Sequence, residues 1–141
     1  MTNQPSRQGV VAVLADMIFE TKICSTANTL GAPAIVVRST NALDAAISRT
    51  GASLVLVDLN TAGDSAIDLV KAAKAHPSEL HVVAFASHVN ADLLEKAEQA
   101  GAHSVMPRSQ FSAELPNLIT THCKKLDTTG AAPNAPEDSP C

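Results

Sequence analysis

The stretch Leu54-Val55-Leu56-Val57-Asp58-Leu59-Asn60 decides the fold. Four consecutive apolar residues, two of them β-branched, fit a strand buried on both faces, as in a parallel sheet covered by helices. The run ends in a carboxylate, Asp58. Residues 60–64 read as a loop, and a helix follows carrying Ile67, Leu69, Val70 and Ala73, closed by His76-Pro77.

The same strand-then-helix unit recurs on either side. Towards the N-terminus, Val10 to Leu14 is a second β-branched run with Asp16 at its end. A helix from about Ile18 to Leu30 follows, with Phe19, Ile23, Ala27 and Leu30 on one face and Gly31 as its stop. Ala34 to Val37 is a strand, and Asn41 is placed to cap a helix that carries Leu43, Ala46 and Ile47 and ends at Gly51. Towards the C-terminus, Val82 to Phe85 is a strand. A helix capped by Asn90, with Leu93, Leu94, Ala97 and Ala100, stops at Gly101. His103 to Met106 is a weaker strand suited to a sheet edge. The last helix runs from Phe111 to about Leu126, and Pro116 fits it best in the first turn.

Strict alternation with short links implies one parallel sheet with right-handed crossovers, an α/β architecture. The chain has 141 residues, 45% of them hydrophobic, enough for one core. It has no Trp or Tyr, so aliphatic residues must fill that core. Residues 1–8 are polar, include Pro5 and do not form a signal peptide, so a flexible N-terminus is expected. Residues 9–126 form the domain. Residues 127–141 cannot bury apolar surface and are expected to be a disordered tail.

Composition excludes several functions. The net charge is −4, and no basic stripe is present to meet nucleic-acid phosphates. Only Phe19, Phe85 and Phe111 could stack on bases. No apolar run is long enough to span a membrane. Three cysteines, Cys24, Cys123 and Cys141, are too few for a disulfide framework, so a reducing cytoplasm is the expected compartment. Cys141 does not sit in a prenylation box.

Open parallel sheets bind at the carboxyl ends of their strands. Those ends carry Asp16, Asp58, the segment Ala86 to His88, and Pro107-Arg108. Two carboxylates and a guanidinium on one rim suit a hard cation and an anionic oxygen. Each residue also has a plainer role: Asp16 as a helix cap, Asp58 as a strand-end residue, Arg108, Ser87 and His88 as surface groups, and Lys22 as a side chain lying along the first helix.

Over about residues 9–126, the pieces Val10–Asp16, Leu54–Asn60, Val82–Ser87 and Gly101–Arg108 together resemble the receiver (CheY-like) domains of two-component response regulators. The resemblance implies a flavodoxin-like (βα)5 three-layer sandwich of strand order 2-1-3-4-5. It implies that Asp58 is the phosphoacceptor position. It also implies that Asp16, Asp58 and the backbone carbonyl of Asn60 are Mg²⁺ ligands, and that Gly63 is the glycine of the following loop.

The departures point to an atypical, pseudo-receiver variant. Ala15 stands where the family has a further acidic residue. Arg108 replaces its lysine, Ser109 the following proline, and Val105 the aromatic switch residue. Either Ala86 or Ser87 takes the hydroxyl position; with Ser87 there, the catalytic set is Asp58, Ser87 and Arg108. The family's three carboxylates and one lysine leave two net negative charges, whereas two carboxylates and a guanidinium leave one. Any Mg²⁺ binding is therefore expected to be weak, and no other cofactor is expected. Arg is no substitute point charge for Lys, because its planar fork pairs bidentately with carboxylates.

The expected function is that of a stand-alone receiver-like signalling module with a degenerate phosphoacceptor site. It would meet a protein partner, such as a histidine kinase, through the face of the fourth helix, fifth strand and fifth helix, as a monomer or weak homodimer. It would not be an enzyme beyond weak self-phosphorylation and dephosphorylation. One alternative is a genuine single-domain response regulator phosphorylated on Asp58 in a phosphorelay. Another is a flavodoxin-like enzyme or cofactor binder, against which stands the lack of Gly-x-Gly-x-x-Gly, Gly-x-Ser-x-Gly and cobalamin-type motifs.

Overall fold

Strands that are apolar at every position need cover on both sides, and the architecture supplies it. The computed structural model describes residues 8–14, 16–38, 40–50, 52–62, 65–75, 80–87, 89 and 91–123. In chain order the elements are β1 (Val10–Val13), α1 (Met17–Leu30), β2 (Ala34–Val37), α2 (Thr40–Thr50), β3 (Leu54–Asp58), α3 (Leu59–Ala62), α4 (Ser65–Ala75), β4 (His81–Ala86), α5 (Ala91–Gln99), β5 (Ser104–Pro107) and α6 (Arg108–His122). The five strands form one sheet of order β2-β1-β3-β4-β5. Every pairing is parallel. The molecule is thus a flavodoxin-like three-layer sandwich.

Successive residues along each strand point to opposite faces, and this alternation splits the core in two. Val11, Val13, Val55, Val57, Val82 and Ala84 pack under α2, α4 and α5. Val10, Ala12, Leu54, Leu56, Val83 and Phe85 pack under α1 and α6. The chain's three phenylalanines all lie on the second side: the Phe85 and Phe111 rings stack with centroids 3.9 Å apart, and Phe19 lies 5.8 Å from Phe85.

Three local expectations are corrected. Leu59–Ala62 form a single helical turn where a loop was expected from Asn60. The second helix begins at Thr40, so Asn41 lies inside it rather than capping it. Pro116 is the ninth residue of α6, not part of its first turn, because the helix starts directly after β5 at Arg108. Pro116 is exposed. It has no N–H to donate to the Ser112 carbonyl, a local loss that the buried Phe111, Leu115, Leu118 and Ile119 outweigh. Gly31 ends α1 as expected, in the left-handed conformation (φ 79°) that glycine adopts without penalty. Gly51, His76-Pro77, Asn90 and Lys124 to Leu126 lie outside the described residues, as do residues 1–7 and 127–141.

Candidate functional site

The sheet register sets the site. Asp58 pairs with Phe85, and Ala86 with Pro107, so the ends of β3, β4 and β5 finish at neighbouring levels. β1 ends beside β3, with Val13 opposite Val57. Asp16, Asp58, Ser87 and Arg108 therefore emerge on one rim, the upper rim.

Asp16 caps α1: its Oδ1 accepts hydrogen bonds from the backbone N–H groups of Ile18 (2.9 Å) and Phe19 (3.3 Å). This fixes the carboxylate and leaves Oδ2 turned to the rim. Asp58 is 1% exposed. Its Oδ1 accepts from the Asn60 N–H at 3.0 Å, a bond that the α3 turn makes possible.

Arg108 reaches back from the first position of α6. Its Nη2 donates to Asp58 Oδ2 at 2.8 Å, and its Nη1 lies 3.7 Å from Asp16 Oδ2. The first is a charge-assisted hydrogen bond; the second is an ion pair without one. The guanidinium carbon sits 4.8 Å from the centroid of the Phe19 ring, within cation–π range. Its Nε is buried with no hydrogen-bond partner among the described residues. One cation thus joins both carboxylates and rests on an aromatic floor.

Ser87 is not part of this contact. Its N–H donates to the Asn60 side-chain carbonyl at 2.9 Å, and its hydroxyl accepts from the Val89 N–H at 3.5 Å. Asn60 therefore links Ser87 to Asp58 indirectly. Ala86 is fully buried and its methyl belongs to the core. Lys22 is exposed on α1, and Val105 is half-buried on β5. Ala15, Gly63 and His88 lie outside the described residues.

Mg²⁺ would need the carboxylate oxygens that this arrangement already engages. Oδ1 of each aspartate accepts backbone N–H groups, and Oδ2 of each faces the guanidinium. Among the described residues, no group of three or more His, Cys, Asp or Glu side chains converges as metal ligands. The donor set does not fit an ion held alongside Arg108; an ion would have to displace it.

Sequence reasoning missed two contributors. Phe19 was legible as a core residue, but its role under Arg108 depends on how α1 and α6 pack. Arg38, just past β2, donates to the Leu14 carbonyl (2.7 Å) and to Glu20 Oε1 (3.0 Å), tying down the chain that leads to Asp16. The signal was its place at a strand's carboxyl end.

No protein-family model and no curated protein matches the chain. Solved structures do. A response regulator from Thermotoga maritima superposes with a TM-score of 0.66 at 18% identity, covering 81% of this chain and 95% of that one. A CheY-like receiver domain from Methylobacillus flagellatus gives 0.64 at 25% identity, over 81% and 97%. An orphan response regulator of H. pylori gives 0.64 at 16%, over 82% and 98%. The fold is that of response-regulator receiver domains. No described helix is long and apolar enough to cross a membrane.

Proposed function

We propose that this chain is a receiver-like signalling module whose phosphoacceptor position is degenerate and which works by binding a protein partner. The observation that carries this reading is the 2.8 Å bond from Arg108 to Asp58 Oδ2, on a carboxylate that is 1% exposed. In-line attack on a phosphodonor needs a free carboxylate oxygen and a cation that leaves room for the incoming phosphoryl group. Here the oxygen already accepts a charge-assisted bond, and the cation is a bulky fork that fills the space between Asp58 and Asp16. In this reading Asp58 is the acceptor position by descent, Asp16 and the Asn60 carbonyl are the remnants of a metal site, and Arg108 is the residue that closes it.

The partner surface in this proposal is the face of α5, β5 and α6, which corresponds to the fourth helix, fifth strand and fifth helix once the α3 turn is left out of the count. β5 is a sheet edge, and Leu93 and Leu94 of α5 are both only partly buried, so apolar surface remains there for a partner.

Incubation with acetyl phosphate and Mg²⁺ tests the reading. Labelling is expected to be poor or absent. Stoichiometric, hydroxylamine-sensitive label at Asp58 would instead favour a genuine response regulator with Asp58 as a working phosphoacceptor.

A further inference from the structure

The opposite rim, at the amino ends of the strands, gathers three histidines from three elements. His81 opens β4, His103 immediately precedes β5, and His122 ends α6. The His81 and His122 rings are stacked, with centroids 3.6 Å apart and planes 10° from parallel. The His103 ring lies 4.9 Å from His81 at 23°.

The hydrogen bonds specify a protonation state. The backbone N–H of Val82, a fully buried residue, donates to His103 Nδ1 at 3.0 Å. That nitrogen accepts only while it carries no proton. The backbone N–H of His103 returns to the Val82 carbonyl at 2.8 Å, so the ring closes the lower end of the β4–β5 pairing. Ser53, just before β3, joins the other two. It receives the His81 N–H on its carbonyl (2.8 Å), and its hydroxyl donates to the His122 carbonyl (2.7 Å). His81 Nε2 lies 3.3 Å from the Ser104 hydroxyl.

We propose that His81, His103 and His122 form a pH-operated clasp, which when neutral holds the start of β5 and the end of α6 onto β4, and when protonated loosens both. Protonating His103 at Nδ1 removes the acceptor of a buried N–H. Protonating stacked rings sets cations face to face. The influences on the three rings act in one direction. Burial, then the neighbouring His122 and His103, lower His81 from its ordinary value to about 4. Burial, then Lys74 of α4, lowers His103, and burial, then His103, lowers His122. Glu79 and Lys124 adjoin the cluster in sequence and lie outside the described residues. Because the folded form resists protonation, the clasp is fully closed above the ordinary histidine value of about 6.5 and weakens as pH falls below it. β5 and α6 are two of the three elements of the proposed partner face, so mild acid would change that face without touching Asp58.

Amide hydrogen exchange followed by NMR on the full chain tests this, with rates corrected for their intrinsic pH dependence. Between about pH 7.5 and pH 5.5, the opening equilibria at Val82 and Cys123 should rise roughly three- to tenfold. His103→Asn keeps an acceptor for Val82 that cannot be protonated, and His81→Phe keeps a ring in the stack without a charge. In each, the rise should fall to less than half that of the natural chain; should one fail to fold, the other decides. Opening at Val82 and Cys123 that does not change with pH overturns the proposal. So does a pH dependence that persists undiminished in a folded variant.

Discussion

The two rims of the sheet solve opposite electrostatic problems. The upper rim sets unlike charges together: Arg108 reaches both Asp58 and Asp16. The lower rim sets like groups together: three imidazoles stack, and one of them must stay unprotonated to accept from Val82. The upper arrangement is stable because each charge has a partner, and the lower one because its groups carry no charge. A single helix touches both, since α6 begins with Arg108 and ends with His122. One receiver-type fold thus seats an internal cation between carboxylates at one rim and a stack of neutral imidazoles at the other.

The largest expected effect concerns what supports the upper rim. Phe111 is fully buried and stacks on Phe85, beneath the Phe19 ring that carries Arg108. Phe111→Ala should destabilise the protein by about 3–5 kcal/mol in chemical denaturation, the usual range for a buried aromatic truncated to alanine. A loss of about 1 kcal/mol or less would mean that the floor collapses around the cavity and that the upper rim does not depend on it.

Next comes the cation itself. Arg108→Ala leaves Asp58 and Asp16 facing each other without a partner and should cost about 1–3 kcal/mol in metal-free buffer. The same variant should bind Mg²⁺ more tightly than the natural chain in calorimetric titration, because the competing cation has gone. Unchanged stability, or weaker Mg²⁺ binding, would show that the rim is not neutralised by Arg108.

How much of this was legible in the sequence differs between the rims. Continuous apolar runs such as Val10–Val13 and Leu54–Val57, each followed by a helical period, carried the sheet, its direction and the residues at its carboxyl ends. Asp16, Asp58 and Arg108 were readable because each stands at the carboxyl end of a strand or within three residues of it, where the topology alone brings side chains together. Ser87 also stands there, but its hydroxyl is taken up locally by Val89, which no spacing reveals. The lower rim was not legible. His81, His103 and His122 come from segments far apart in sequence, and each alone reads as a surface histidine. Their meeting depends on how α6 ends against β4, which is a packing outcome. The place of Pro116 in the interior of α6 was hidden for a similar reason. Local propensity argued for a later helix start, and burial of four apolar residues decided otherwise.

A smaller effect sharpens the contrast through pH. All three lower-rim histidines are held below their ordinary value, chiefly by burial. The unfolded chain then binds more protons than the folded one below about pH 6.5, so global stability should fall as pH drops from about 7.5 to 5.5. His103 is exposed and His81 and His122 are half-buried, so solvent screens part of their repulsion and a loss of about 1 kcal/mol is expected. His81→Phe should flatten this slope, whereas Arg108→Ala, at the far rim, should leave it unchanged. If Arg108→Ala flattens it instead, the two ends of α6 do not act independently.

The smallest expected effect isolates the contact between Arg108 and the Phe19 ring. Phe19→Leu keeps apolar volume over Phe85 and Phe111 but removes the π-face under the guanidinium, so its total cost mixes lost packing with lost cation–π attraction. Comparing Phe19→Leu in the natural chain with Phe19→Leu in Arg108→Ala separates the two, since the packing loss is common to both backgrounds. The remaining coupling should be about 0.5–1 kcal/mol, as for a half-exposed cation over an aromatic face. A coupling near zero would mean that Asp58 and Asp16 alone hold Arg108 and that Phe19 is a spectator. A coupling well above that range would mean that the ring sets the guanidinium's position. In that case Phe19→Leu should reproduce part of the Mg²⁺ gain expected of Arg108→Ala, because a cation that is less well seated is easier to displace.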